Sequence, residues 1–114
     1  MKILFCIYLV CFSYIAQSEK YNHGIPITIE SAIKFKTLNE ALILSADYEV
    51  VECKIVFITK DGIFLPSGPQ TLKNPIIRNM LSLSQSGDKL IFSEIIVKHG
   101  DQQLKLEDKA YVIQ

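Results

Sequence analysis

Apolar and polar residues alternate with a period of two along much of the sequence after residue 24, and this pattern constrains the fold more than any other feature. Two long segments carry it, at residues 25–35 and 47–59, and a further long strand is predicted at residues 89–98, which are apolar on both faces except at Ser93 and Glu94. Successive side chains of a β-strand point to opposite faces of a sheet, so the alternation predicts half-buried strands. Pro26 lacks a backbone N–H, which places the first segment at a strand start or a sheet edge.

The second segment changes phase in its middle. Tyr48 and Val50 are apolar at even positions, whereas apolar residues from Val51 onward occupy odd positions. One extra residue in a strand moves every later side chain to the other face, so a β-bulge is predicted between Val50 and Val51. Val56 and Ile58 make the end of this strand apolar on both faces, which favours a central position in the sheet.

Turn signals separate the shorter strands. The Lys-Asp-Gly sequence at residues 60–62 predicts a hairpin into a short strand at 63–65. Residues 99–102 predict another turn, because they combine glycine with short polar residues. Two short strands are expected after it, around residues 104–106 and 110–113.

One helix is predicted at residues 75–84. Asn74 is suited to the N-cap, and Pro75 suits the first helical position, where its missing N–H costs nothing. Arg78 is expected on the outward face. The residues expected to face the core recur at spacings of three and four: Ile76, Ile77, Met80, Leu81 and Leu83.

Together these elements predict a β-rich α+β domain, an antiparallel β-sandwich-like fold with one inserted helix. Residues 37–40 are expected to form a turn or a single helical turn between the first two strand segments. No internal repeat is found in the sequence.

Residues 3–16 form an uncharged apolar run that predicts a secretory signal peptide. Lys2 precedes the run, and Ala16-Gln17-Ser18 offers the small residues that signal peptidase prefers. We therefore expect residues 1–18 to be cleaved and residues 19–114 to form one small periplasmic domain, with an extracellular location as the alternative. The run is shorter than the roughly 20 residues that a membrane span needs, and an uncleaved anchor stays open as a second interpretation.

Charge balance argues against nucleic-acid binding. The chain has 12 basic and 12 acidic residues, and residues 19–114 have a net charge of −1 because Lys2 is left out. Nucleic-acid binding needs a concentrated cationic face, which this interspersed pattern does not provide.

Candidate chemical groups are few. Cys53 is the only cysteine after residue 18, and its place in an alternating strand predicts a buried core residue. His99 and Asp101 lie close in sequence, yet residues two apart in a tight turn seldom face each other. Glu107 and Asp108 are expected in a solvated loop. Neither zinc-ligand spacing nor a G-x-S-x-G elbow is present, so we assign no catalytic, cofactor-binding or metal-binding residue and expect no enzyme.

Residues 31–114 resemble the C-terminal periplasmic domain of the gliding-motility and type IX secretion protein family GldM. The first block is Ala46–Glu49 running into residues 53–57, and the second is the helix after Asn74. The third block is residues 86–95 with Gly100-Asp101, which is similar to the family's Gly-Asp-Lys-x-x-Phe-x-x-Ile strand and the turn after it.

The resemblance implies a noncatalytic domain that contacts other proteins in a Bacteroidota-type periplasm, in a family whose full-length members are homodimeric rods. The family's N-terminal membrane helix and upstream domains have no counterpart in these 114 residues, so its motor function is not carried over. Ser45-Ala46 also stands where the family has an aromatic residue.

We therefore expect a small exported protein-interaction or structural module, bound to envelope proteins or to a second copy of itself. The strand predicted at residues 25–35 is the candidate edge for a partner strand. A small-ligand carrier or inhibitor is the alternative, with a cavity between sheet and helix and a mouth at residues 66–70. An enzyme, which would need His99 in a cleft with serine or carboxylate partners, ranks third.

Overall fold

The computed structural model describes residues 24–114, so the expected signal peptide lies outside the described residues. Six strands and three short helices follow one another within this part. In chain order they are β1 (Ile25–Ile27), α1 (Ile29–Ile33), α2 (Leu38–Leu42), β2 (Tyr48–Thr59), β3 (Gly62–Phe64), α3 (Pro75–Ser82), β4 (Lys89–His99), β5 (Gln102–Leu106) and β6 (Lys109–Ile113).

The described strands form one open mixed sheet in the order β1-β6-β4-β2-β3. All pairings are antiparallel except that of β1 with β6. Strand β5 pairs with the second half of β4, and β6 pairs with its first half. The β-rich α+β class is confirmed. The sandwich is not confirmed, and the single predicted helix is joined by two others.

Two bulges at the same level of the sheet keep its core face continuous. On β2 the pairing shifts between Val50 and Glu52, which confirms the predicted bulge at Val51. A second shift follows between Glu52 and Lys54, where β4 carries the extra residue and Glu94 has a φ of 50°. Because each strand gains one residue, the original register returns beyond the second bulge.

The compensating bulge on β4 changes the phase of its apolar residues as well. Leu90 and Phe92 face the core before Glu94, and Ile95 and Val97 face it afterwards. The core contains residues from all three helices and the matching face of the sheet. Its buried members are Ala32, Ala41, Leu42, Cys53, Ile55, Phe57, Leu72, Ile77, Leu81, Leu90, Phe92, Ile95, Val97, Tyr111 and Ile113.

The long strand predicted at residues 25–35 is wrong, because only its first three residues are extended. The Thr28 hydroxyl accepts a hydrogen bond from the Ser31 N–H and caps helix α1. Ile29 and Ile33 are four residues apart, a spacing that fits one helix face as well as alternate strand positions. Ala32 is fully buried between them, which strand alternation would not produce.

Helix α2 is the helical turn expected near residues 37–40. The Thr37 hydroxyl accepts a hydrogen bond from the Glu40 N–H at its start. At its end, Ile43 adopts the left-handed conformation with a φ of 57°, and the Leu44 N–H donates to the Asn39 carbonyl. This is the Schellman arrangement with isoleucine in the position that glycine usually occupies.

Helix α3 begins where the sequence predicted, with Asn74 as N-cap and Pro75 in the first turn, and it ends at Ser82. Its predicted core face is too wide: Ile77 and Leu81 are buried, whereas Ile76 and Leu83 are 45% and 69% exposed. None of the helices among residues 24–114 is long and apolar enough to cross a bilayer.

Candidate binding groove

An open groove of about 320 Å³ lies between the β2–β3 hairpin and the end of helix α3. Phe57 and Phe64 form its sheet side, and Met80 and Leu83 form its helix side. Phe64 is 42% exposed, and Leu83 is 69% exposed. Two large apolar side chains thus stand at the rim of an apolar depression, which distinguishes this region from ordinary polar surface.

Local backbone structure explains why Leu83 is exposed. Helix α3 ends there: the Leu83 N–H donates to the Asn79 carbonyl, and the Ser84 hydroxyl donates to the Met80 carbonyl at 2.9 Å. Leu83 follows the buried Leu81 by two residues, about 200° around a helix, so it points away from the core.

The hairpin supplies the other wall. Phe57 pairs with Phe64 across β2 and β3, so their side chains lie on the same face of the sheet. Gly62 has a φ of 135°, which an L-residue with a side chain rarely adopts, and it allows the tight connection through Lys60 and Asp61. The predicted hairpin is therefore confirmed, with Gly62 as its permissive residue.

The chain after β3 is held against the sheet by two amide side chains. Gln70 accepts a hydrogen bond from the Ile55 N–H at 2.9 Å and donates to the Pro66 carbonyl at 2.9 Å. Asn74 donates to the Ser67 and Pro69 carbonyls at 2.9 and 2.8 Å. The loop therefore covers the edge of β2 next to β3, and residues 66–70 do not line the groove.

Charges surround the apolar centre of the groove. Asp61 and Lys60 lie at the hairpin tip, and Asp88 lies on the opposite rim, where its carboxylate accepts a hydrogen bond from the Gln85 N–H at 2.9 Å. The charged residues that line the groove are thus two carboxylates and one ammonium group.

A second depression, of about 500 Å³, lies between helix α2 and the start of β2. Tyr48 lines it and stacks on His99 with ring centroids 4.5 Å apart and an interplanar angle of 24°. His99 ends strand β4, and Asp101 follows in the turn. The lining residues of this depression include Glu49 and Tyr48 but not His99 itself.

Cys53 is buried on the core face of β2, as the sequence predicted. Burial raises the pKa of its thiol, and the nearby Asp108 carboxylate adds a smaller effect in the same direction; together they bring this pKa from an ordinary 9.0 to about 11. At neutral pH the group therefore stays a protonated thiol, whereas the nucleophilic form is the thiolate. This environment fits a packing residue and does not activate a nucleophile.

Among residues 24–114, no three His, Cys, Asp or Glu side chains come together in a way that could hold a metal ion. Glu107 and Asp108 lie exposed in the connection between β5 and β6, where a loop was expected. The groove residues Phe64 and Leu83 were missed by the sequence reasoning. A helical wheel would have placed Leu83 off the buried face, but Phe64 carried no comparable signal.

No family model matches the chain, and no curated protein matches it.

Proposed function

We propose that this chain is a small exported module that binds another protein of the cell envelope and has no catalytic role. The observation that carries the proposal is the open apolar groove, with Phe64 and Leu83 exposed at its rim. Leaving such side chains in water is unfavourable, and contiguous apolar surface on a small domain is typical of sites that bind other molecules.

Two features of the sequence support the location. The apolar run at residues 3–16 favours export, and the resemblance to the GldM periplasmic domain favours a gliding or type IX secretion complex in the envelope. The same proposal includes homodimerisation of the chain and a sandwich-like packing of its sheet against a second sheet. Val56 and Val112 are partly exposed apolar residues on the face opposite the core, where a second sheet would pack.

The test compares the wild type with two charge substitutions at exposed leucines. Leu83→Asp places a carboxylate on the groove, and Leu104→Asp places one on β5, outside the groove. The proteins are immobilised and exposed to envelope extract, and retained proteins are identified by mass spectrometry after cross-linking. Light scattering reports the oligomeric state of each variant.

We expect one envelope protein, or a second copy of the chain, to be retained by the wild type and by Leu104→Asp but lost from Leu83→Asp. A monomer whose retained proteins do not depend on Leu83 would overturn the proposal. Circular dichroism of each variant checks that loss of binding does not reflect unfolding.

A small-ligand carrier is a second candidate, because a groove of about 320 Å³ between sheet and helix falls at the lower end of small-molecule sites. Native mass spectrometry of freshly purified protein tests it. A bound small molecule that is absent from Leu83→Asp would favour the carrier, whereas a bare chain that still binds a protein through Leu83 would eliminate it.

A further inference from the structure

We propose that the groove takes an extended peptide segment of the partner, which pairs with the edge of β3 and inserts an apolar side chain between Phe64 and Leu83. This inference rests on the proposed function and names the kind of ligand. Three observations lead to it: the free edge of β3, the position of the groove beside that edge, and the charges around the rim.

The edge is the first observation. Within residues 24–114, strand β3 pairs with β2 on one side and ends the sheet on the other. An edge strand presents backbone N–H and C=O groups to any strand that approaches it. The neighbouring edge of β2 is already covered, because the Ile55 N–H donates to the Gln70 side chain. A strand added on this side is therefore directed to β3. Within residues 24–114, strand β5 also pairs on one side only, with β4, but none of its residues lines the groove.

The opposite end of the sheet is β1, which is an edge strand as expected for the start of residues 25–35, but it is a poorer acceptor than β3. Strand β1 has three residues, as β3 does, but its central residue is Pro26, which has no N–H to donate. Few backbone hydrogen bonds can form there.

The groove explains specificity. Side chains of an added strand alternate between the two faces of the sheet, so every second one would lie beside Phe64. The depression formed by Phe57, Met80 and Leu83 lies on that face and accepts an aliphatic or aromatic side chain. A helical partner could fill the depression but would leave the β3 backbone groups without partners, so an extended segment fits the surface better.

Charge selects the residues that flank the anchor. Asp61 and Asp88 outnumber Lys60 on the rim, so the groove favours a segment with lysine or arginine beside its apolar residue. An acidic segment of the same shape would be repelled by the carboxylates of Asp61 and Asp88.

The experiment selects short random peptides displayed on phage against wild-type protein, with Leu83→Asp for counter-selection. The consensus peptide is then synthesised in four forms. One is unmodified, two carry backbone N-methylation at alternate residues, one for each register, and the fourth has its basic residues replaced by glutamate. Fluorescence anisotropy measures their affinity, and NMR maps the amide shifts. Asp61→Lys tests the rim, with Leu104→Asp as the matched control.

We expect the consensus to alternate apolar and polar residues with basic flanks, and its binding to shift the amides of residues 62–64. N-methylation in one register should weaken binding about tenfold, as expected for lost backbone hydrogen bonds, and Asp61→Lys should weaken the basic peptide. Leu104→Asp should bind as the wild type does.

The proposal is overturned if no peptide is enriched, if the enriched peptides are helical or acidic, or if N-methylation in neither register changes the affinity. Such a result leaves the proposed function standing when an envelope protein still binds through Leu83, because that protein would then use a folded surface. Loss of both kinds of binding overturns the two proposals together.

Discussion

Arg78 on helix α3 donates a 2.6 Å hydrogen bond to the backbone carbonyl of Ile33, the last residue of helix α1. The same guanidinium donates to the Phe35 carbonyl at 3.0 Å. The final carbonyls of a helix have no hydrogen-bond donor within the helix. They therefore accept hydrogen bonds from water or from a side chain elsewhere in the chain. Arg78 was expected to point outward, and instead it joins two helices across 45 residues of sequence.

Replacing Arg78 tests that link. Arg78→Met keeps an unbranched apolar stem and removes both hydrogen bonds, so the free energy of unfolding should fall by about 1–3 kcal/mol. Arg78→Lys keeps the charge but not the planar fork and should lose an intermediate amount. Urea denaturation measures both variants. A Met variant as stable as the wild type would show that water replaces the guanidinium without cost.

Ile43→Gly should stabilise the protein. Ile43 is held in the left-handed conformation, and its side chain is 69% exposed, so little burial is lost with it. Relief of the backbone strain should exceed the greater freedom of glycine in the unfolded chain, for a gain of about 0.5–1 kcal/mol. Thermal and urea unfolding measure it. Ile43→Val is the control, since another β-branched residue keeps the strain; equal stability of all three proteins would refute this account.

Asn74→Asp separates the two roles of Asn74. An aspartate oxygen can still accept the Ile76 N–H and cap helix α3, and Asp and Asn are nearly equal as N-caps. The carboxylate cannot donate to the Ser67 and Pro69 carbonyls, so stability should fall by about 1–3 kcal/mol. Urea denaturation at neutral pH gives the value. If Asn74→Asp matched the wild type while Asn74→Ala was destabilised, capping alone would explain this residue.

Cys53 should make the stability depend on alkaline pH. Its thiol pKa is about 11 in the folded chain against an ordinary 9.0, so the unfolded chain loses this proton first. The contribution to stability is therefore complete below pH 9.0 and is lost as the pH rises toward about 11. Urea denaturation across this range should show a steeper decline for the wild type than for Cys53→Ala.

The comparison for Cys53 uses the slope with pH, because the alanine variant also loses packing in the core. Parallel curves for the two proteins would contradict the raised pKa. Reaction with a thiol reagent gives an independent measure: the folded protein should react much more slowly than the urea-unfolded chain at pH 8.

The features predicted correctly from the sequence depend on short-range constraints. The Asn74-Pro75 start of α3, the Gly62 hairpin and the bulge at Val51 each follow from a few adjacent residues. Their cause is backbone geometry, which neighbours in sequence determine. The bulge on β4 had the same kind of signal, since the core-facing residues change from even to odd positions around Glu94, but the apolar residues on both sides obscured it.

The features predicted wrongly depend on distant contacts. Ile29 and Ile33 fit a strand or a helix equally well, and burial of Ala32 against the core decides for the helix. Arg78 was assigned an outward position, but its guanidinium donates to the carbonyl of Ile33 at the end of α1 and to that of Phe35 just after this helix, and both acceptors are distant in sequence.

The sequence by itself determined the β-rich class, the start of α3 and the level at which β2 changes phase, because periodicity and turn chemistry are local properties. Only the tertiary structure decided which apolar side chains remain exposed, since exposure depends on what packs opposite them. Leu81 and Leu83 show the difference: two residues apart on one helix, the first is buried under the sheet and the second stands open beside Phe64.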